Sequence, residues 1–220
     1  MKTRNALGAG FFSIAWLTTA AALLVHPSGS AHKGTQLLAM ANDHHDQLIA
    51  FGVLYLVSAI LFIPAMVLVS NVAVERGRKL MLIACILVLI GAVGHAAEST
   101  MNMLLTAIAS IPADTAAKAK VLDDSTGLIA PVLALAVLFD LALVVFAVAA
   151  WRARLTSFWP AVLIGAAVVV GNFAPNELPF QAVGIGLITV AVVMIAVGLA
   201  GYGRSTASVE TARNSARAAV

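Results

Sequence analysis

The chain has 220 residues, 61% of them hydrophobic, 10% charged and 6% aromatic, with a formal charge of +3 and a mean hydropathy of +1.00. Soluble domains carry roughly 25% charged residues, so this composition excludes a soluble globular protein and indicates an integral membrane protein of one domain. The cations flank apolar segments, which excludes the basic surface of a nucleic-acid binder, and the single cysteine, Cys85, excludes an intrachain disulfide and argues against a cysteine-built metal site.

A bilayer core about 30 Å thick takes about 20 apolar residues per helical span. Six such segments are predicted, at 7–25, 48–70, 80–104, 128–150, 159–170 with an extension to 173, and 180–200. The expected fold is therefore all-α, a bundle of six transmembrane helices over residues 1–200. A flexible tail, 201–220, rich in Ser, Ala, Thr and Arg, follows it.

Lys2 and Arg4 precede the first span. Its apolar run, 6–25, exceeds the roughly 7–15 residues of a secretory signal core, which favours a retained helix. Gly29-Ser-Ala31 nevertheless offers a cleavage site, and cleavage there would leave His32 at a new N-terminus able to chelate copper. At the entry to span two, His44, Gln47, Phe51, Tyr55 and Ser58 recur at helical spacing and form one polar and aromatic face. His44 or His45, together with His95 and Glu98, could assemble a site from the nitrogen and oxygen ligands that zinc takes. No HxxxH or HExxH motif accompanies them, and solvated boundary histidines are the alternative.

Span three carries the most unusual pattern. Gly91, His95, Glu98, Asn102 and Thr106 fall at intervals that align them on one helical face. An acid at a helix centre facing lipid costs roughly 2.5–3.5 kcal/mol, so the stripe is expected to face protein or trapped water. The glycine admits a neighbouring helix, and His95 and Glu98, one turn apart, can share a proton. In the plainer alternative Glu98 marks the membrane exit and the stripe is packing. Continuous helix over 80–110 would reach about 46 Å, so it either protrudes or breaks and lies along the surface. The polar segment 111–127 reads as an external loop with a short helix after Pro112.

Asp140 sits near the middle of span four in Val137-Leu-Phe-Asp140-Leu-Ala-Leu, with no lysine or arginine at similar depth. It is expected to be carried neutral or to hydrogen-bond an Asn, Ser, Thr or His of another span. Between spans five and six, Asn172-Phe-Ala-Pro-Asn-Glu-Leu-Pro179 has two prolines suited to a tight turn. Asn172, Gln181, Gly184 and Gly186 are placed to complete a polar mouth there. Trp16, Trp151, Trp159 and Tyr202 read as interface anchors.

Ten of the cations (Lys2, Arg4, Arg76, Arg78, Lys79, Arg152, Arg154, Arg204, Arg213 and Arg217) lie on one side of this topology, and three (Lys33, Lys118 and Lys120) on the other. The positive-inside rule then puts both termini in the cytoplasm of a bacterial-type plasma membrane. All five histidines, His26, His32, His44, His45 and His95, fall toward the outer side.

Three elements carry a family resemblance: Asp46-Gln-Leu-Ile-Ala-Phe-Gly-Val at the entry to span two, Glu98 inside span three, and Leu155-Thr-Ser-Phe-Trp159-Pro before span five. On these the chain resembles an uncharacterised bacterial six-helix membrane protein family, a domain of unknown function. The resemblance covers most of the chain and implies the fold but no activity. The histidines are not part of that pattern.

Three functions compete. In the first, an outward-side pocket of His95, Glu98, Asn102 and Asp140, with Gln47, Phe51, Tyr55 and Gln181, binds or translocates a proton, metal ion or small solute. In the second, Glu98, Asp140 or His95 is catalytic in a membrane-embedded enzyme acting on a lipid or isoprenoid. A buried carboxylic acid would there protonate an alkene or epoxide, as in terpene cyclases, with Phe51, Tyr55, Phe62, Phe139 and Phe146 supplying ring faces. A zinc-dependent lipid hydrolase is a variant that uses the histidines. In the third, the chain is an accessory subunit of a membrane complex. No cofactor is required, with zinc or copper at His44, His45 and His95 as the metal option. The expected partners are the lipid bilayer, a hydrophobic or small-molecule ligand, and further copies or subunits.

Overall fold

The computed structural model describes residues 2–27, 33–72, 77–173 and 178–218, apart from the side chains of 2, 126, 128–129, 133, 172–178 and 203–218. The described residues form eight helices and no strand. They are α1 (Lys2–Val25), α2 (Gly34–Asp43), α3 (His45–Val69), α4 (Arg78–Ser110), α5 (Thr115–Asp124), α6 (Thr126–Arg152), α7 (Trp159–Phe173) and α8 (Leu178–Ala218). The expected segment 201–220 continues α8 as helix to Ala218.

Five helices, α1, α3, α4, α6 and α8, are long and apolar enough to cross a membrane. In hydrocarbon every backbone amide must be satisfied internally, which long apolar runs achieve only as helix. The remaining expected span, α7, has 15 residues and rises about 22 Å, short of the roughly 30 Å core.

These six helices close into a ring. Each packs on the next in chain order, α1 on α3, α3 on α4, α4 on α6, α6 on α7 and α7 on α8, and α8 returns to α1. Small residues allow the closest approaches. A Cβ on Gly91 would lie 2.6 Å from the Cα of Phe139, and one on Gly94 2.7 Å from the Cβ of Leu135, so α4 and α6 meet almost backbone to side chain. This is the close helix contact expected of Gly91 from sequence.

Buried polar side chains tie the ring. Thr19 and Ser58 hydrogen-bond across α1 and α3, Ser99 Oγ donates to the Gly52 carbonyl at 2.6 Å, and Trp16 Nε1 donates to Thr189 Oγ1 at 2.9 Å. The outward faces carry exposed aliphatics such as Ile60, Ile63, Val67, Ile86, Val93, Val193 and Val197, the surface that lipid requires.

At one end of the ring the projecting end of α4 is covered. α4 neither breaks nor bends away: its 33 residues run about 50 Å, and its last turns are covered by α2 and α5. Leu38 and Ala41 of α2, Ala119 of α5 and Leu48 of α3 pack on Leu105 and Ala109. The Gly34 amide donates to Asp123 Oδ1 at 2.7 Å, so α5 caps the start of α2. Asp114 caps α5 through the amides of Ala116 and Ala117. The Lys118 ammonium donates to the carbonyls of Ala109 and Ile111, at the negative end of α4. The short helix expected after Pro112 is α5. α2 has no counterpart among the expected elements.

Candidate functional site

A cavity of about 340 Å³ lies on the axis of the ring, in the half nearer α2 and α5. All six ring helices reach it. Trp16 and Leu23 come from α1, with His26 just past its end; Phe51 and Tyr55 come from α3, His95 and Glu98 from α4, Ala136 and Asp140 from α6. α7 contributes Ala167 and Gly171, and α8 contributes Phe180, Gln181 and Gly184. His26, Gly171 and Phe180, at the ends of α1 and α7 and the start of α8, line the cavity, and Phe180 is 40% exposed.

The wall is a ladder of rings. His26 meets Phe51 edge-on at 4.6 Å between centroids, Phe51 tilts against Tyr55 at 4.7 Å, and Tyr55 stacks on His95 at 4.1 Å. His95 in turn lies 4.0 Å from Phe139. Below it Phe139, Phe62, Phe12 and Phe146 pack ring to ring, 5.1 to 6.2 Å apart, and all four are buried. Met66, Met81, Cys85, Leu143 and Ile195 fill the rest of that half. The four phenylalanines therefore belong to the packed half of the ring beyond His95, and none of them lines the cavity.

Glu98 and Asp140, on neighbouring helices, are the cavity's two carboxyl groups, and no lysine or arginine lines it among the described residues. Of the two states expected of Asp140, an interhelical hydrogen bond is not formed among the described residues, and the residue borders the cavity. His95 is 2% exposed, and its Nδ1 has no hydrogen-bond partner, Glu98 included. The proton-sharing pair expected from their spacing is thus two separate cavity groups. Burial holds the His26 imidazole below its ordinary value of 6.5, against the opposing effect of its hydrogen bond to the Pro27 backbone.

The expected pocket is brought together in part. Tyr55, Phe51, Gln181, His95, Glu98 and Asp140 share the cavity, whereas Asn102 and Gln47 do not. Asn102 is buried one level higher, where its Nδ2 donates to the Glu98 carbonyl at 2.9 Å. Thr106 donates to the Met103 carbonyl in the same way. Their alignment with His95 is real, but seven or more residues of helix rise carry them about 10 Å or more beyond it. Gln47 is exposed at the entry to α3. Gly184 borders the cavity and Gly186 does not; the Asn172 side chain lies outside the described residues.

The metal ligands do not converge. His44 and His45 are exposed, with His45 Nδ1 3.2 Å from Asp46 Oδ1. Tyr55, the residue that touches His95, is eleven residues along the helix from His44, about 16 Å, and zinc needs its ligand atoms within about 2.0–2.2 Å. Among the described residues no three His, Cys, Asp or Glu side chains cluster around a common point. The alternative copper ligand His32 falls outside the described residues.

Trp16, expected at an interface, is instead 2% exposed and borders the cavity. Trp151 and Trp159 are exposed at the ends of their helices, as anchors would be. Phe62, Phe139 and Phe146, expected to supply ring faces to a ligand, belong to the packed core and do not line the cavity.

Compared with protein-family models, curated proteins and solved structures, the chain has no match.

Proposed function

We propose that this chain is a six-span protein of a bacterial plasma membrane, with both termini cytoplasmic. In this reading its outward-facing cavity binds a small cation or solute in exchange for a proton. The orientation rests on the cation distribution, ten against three, with Lys118 and Lys120 on the capping helix at the cavity end. The sixth span is α7, a ring member between α6 and α8 despite its length. The family resemblance drawn from the sequence supports the same fold.

One observation carries the functional reading: Glu98 and Asp140, from two helices, line one cavity without a lysine or arginine among the described residues. Two like charges in a low-dielectric site repel, so the pair is completed by a proton or by a bound cation. The packed half of the ring beyond His95 favours binding from one side, and translocation would require that half to part. The closed ring leaves no place on its axis for a partner's helix, which favours a self-contained protein over an accessory subunit.

The test is proton release in weakly buffered detergent solution, read with a pH dye on addition of sodium, zinc or small organic cations. At least one should displace protons from the wild type and none from the Glu98→Gln/Asp140→Asn double variant. An equal response from that variant would contradict the reading.

A specific observation also supports acid catalysis on an isoprenoid. Trp16, Phe51, Tyr55 and Phe180 are gathered beside the two acids, although the chain has few aromatic residues overall. Incubation with a linear isoprenoid epoxide and mass spectrometry of the extract separates this reading, since only an enzyme yields a cyclised product.

A further inference from the structure

Resting on the cavity-binding reading above, we propose that the solute is a protonated organic amine with an aromatic or branched apolar substituent. Its N–H groups face Glu98 and Asp140, and its apolar part lies against the rings of Trp16, Phe51 and Tyr55.

Charge narrows the choice first. Among the described residues, the acids and bases that line it are Glu98, Asp140 and the two histidines, with no lysine or arginine to balance an anion. The walls narrow it further. A bare metal ion gains nothing from a ladder of rings and needs a convergent set of ligands, which the described residues do not provide. A proton alone needs no cavity of about 340 Å³.

An ammonium uses both features at once. Carboxylates accept charge-assisted hydrogen bonds from its N–H groups, and ring faces attract the cation within about 6 Å of their centroids. The volume lies at the small end of ligand pockets, about 300–1,000 Å³, which suits a substituent of one ring.

The experiment uses the full chain in lipid nanodiscs, with empty nanodiscs as blank, and calorimetric titration near neutral pH. Three probes with the same phenyl group and three-carbon chain differ in charge: 3-phenyl-1-propylamine as its ammonium, 3-phenyl-1-propanol as neutral and 3-phenylpropionate as anion. The ammonium should bind at least ten-fold more tightly than the alcohol, and the carboxylate should not compete. Glu98→Gln and Asp140→Asn should each weaken the ammonium at least ten-fold, and Phe180→Leu about two- to five-fold. The comparison of probes on the wild type needs no variant, so it stands even if an acid variant misfolds.

Equal binding of alcohol and ammonium, undiminished binding by both acid variants, or no ammonium binding would overturn the proposal. Ala136→Trp, which fills the cavity, separates the two levels. If the alcohol binds as well as the ammonium and is lost in Ala136→Trp, the amine class fails while the cavity reading stands. If ammonium binding survives Ala136→Trp unchanged, both fail.

Discussion

The imidazole of His95 lies face to face with the phenol ring of Tyr55, their centroids 4.1 Å apart and their planes 18° from parallel. Phe139 closes on it from α6 at 4.0 Å. The ring is thus held as an aromatic plate between two neighbours while Nδ1 goes without a hydrogen bond. A buried polar atom without a partner costs about 1–3 kcal/mol. His95→Phe keeps the plate and removes the unsatisfied nitrogen, so thermal unfolding in detergent should show equal or greater stability, by about 1 kcal/mol. His95→Ala removes the plate and should cost about 2–4 kcal/mol. A large loss in the phenylalanine variant would mean that the nitrogen has a partner in the folded protein.

Two glycines on different helices should respond to alanine with opposite signs. At Gly91 the added carbon would meet the Phe139 backbone at 2.6 Å, while at Gly10 nothing lies within 4 Å. Gly10→Ala should stabilise α1 by about 0.5–1 kcal/mol through its unfolded-state entropy. Gly91→Ala should destabilise by about 1–3 kcal/mol, since α4 and α6 must separate. Equal effects in chemical unfolding would contradict the close α4–α6 contact.

Much of this site is legible in the sequence because intramembrane polarity is costly and therefore rare. Glu98 and Asp140 stand out in apolar runs, and the spacing of Phe51, Tyr55 and His95 assigns each to an inward face. Depth is less legible. Periodicity puts Asn102 and Thr106 in line with His95, but does not tell how far α4 projects beyond the ring, where α2 and α5 pack on Leu105 and Ala109. α2 escapes notice because ten residues with a short apolar stripe, Leu37, Leu38, Met40 and Ala41, carry little periodic signal. Trp16 resembles an interface anchor until its partner Thr189, 173 residues away, is known. Ala167, Gly171 and Gly184 line the cavity by being small, and a small residue in a membrane helix reads equally as packing.

Acid should weaken the fold through His26. Its folded-state affinity for protons is lowered by burial, so as pH falls below 6.5 the unfolded chain takes the proton first and stability declines. Above pH 6.5 both states are neutral and the residue contributes no slope. The unfolding temperature between pH 7.5 and 5 should therefore fall less in His26→Gln than in the wild type. An unchanged slope would place His26 in water rather than against Phe51.

The cap should be separable from the cavity. Asp123→Ala removes the acceptor of the Gly34 amide, at a cost of about 1 kcal/mol. Hydrogen exchange should accelerate over the first turns of α2 and leave α4 near His95 unchanged. Acceleration at both places would show that cap and ring open as one unit.

The central claim is a cavity open to one face and closed to the other by the packed half of the ring. It is tested most directly by placing a cysteine at Ala136 in a Cys85→Ala background and treating sealed membrane vesicles of each orientation. The reagent is a membrane-impermeant trimethylammonium methanethiosulfonate. Cys85 lies in the packed half, and the wild type should resist the reagent from either side. Ala136→Cys should be modified rapidly from the outer face and not from the cytoplasmic face. Modification from the cytoplasmic face, or from neither face, would contradict the account.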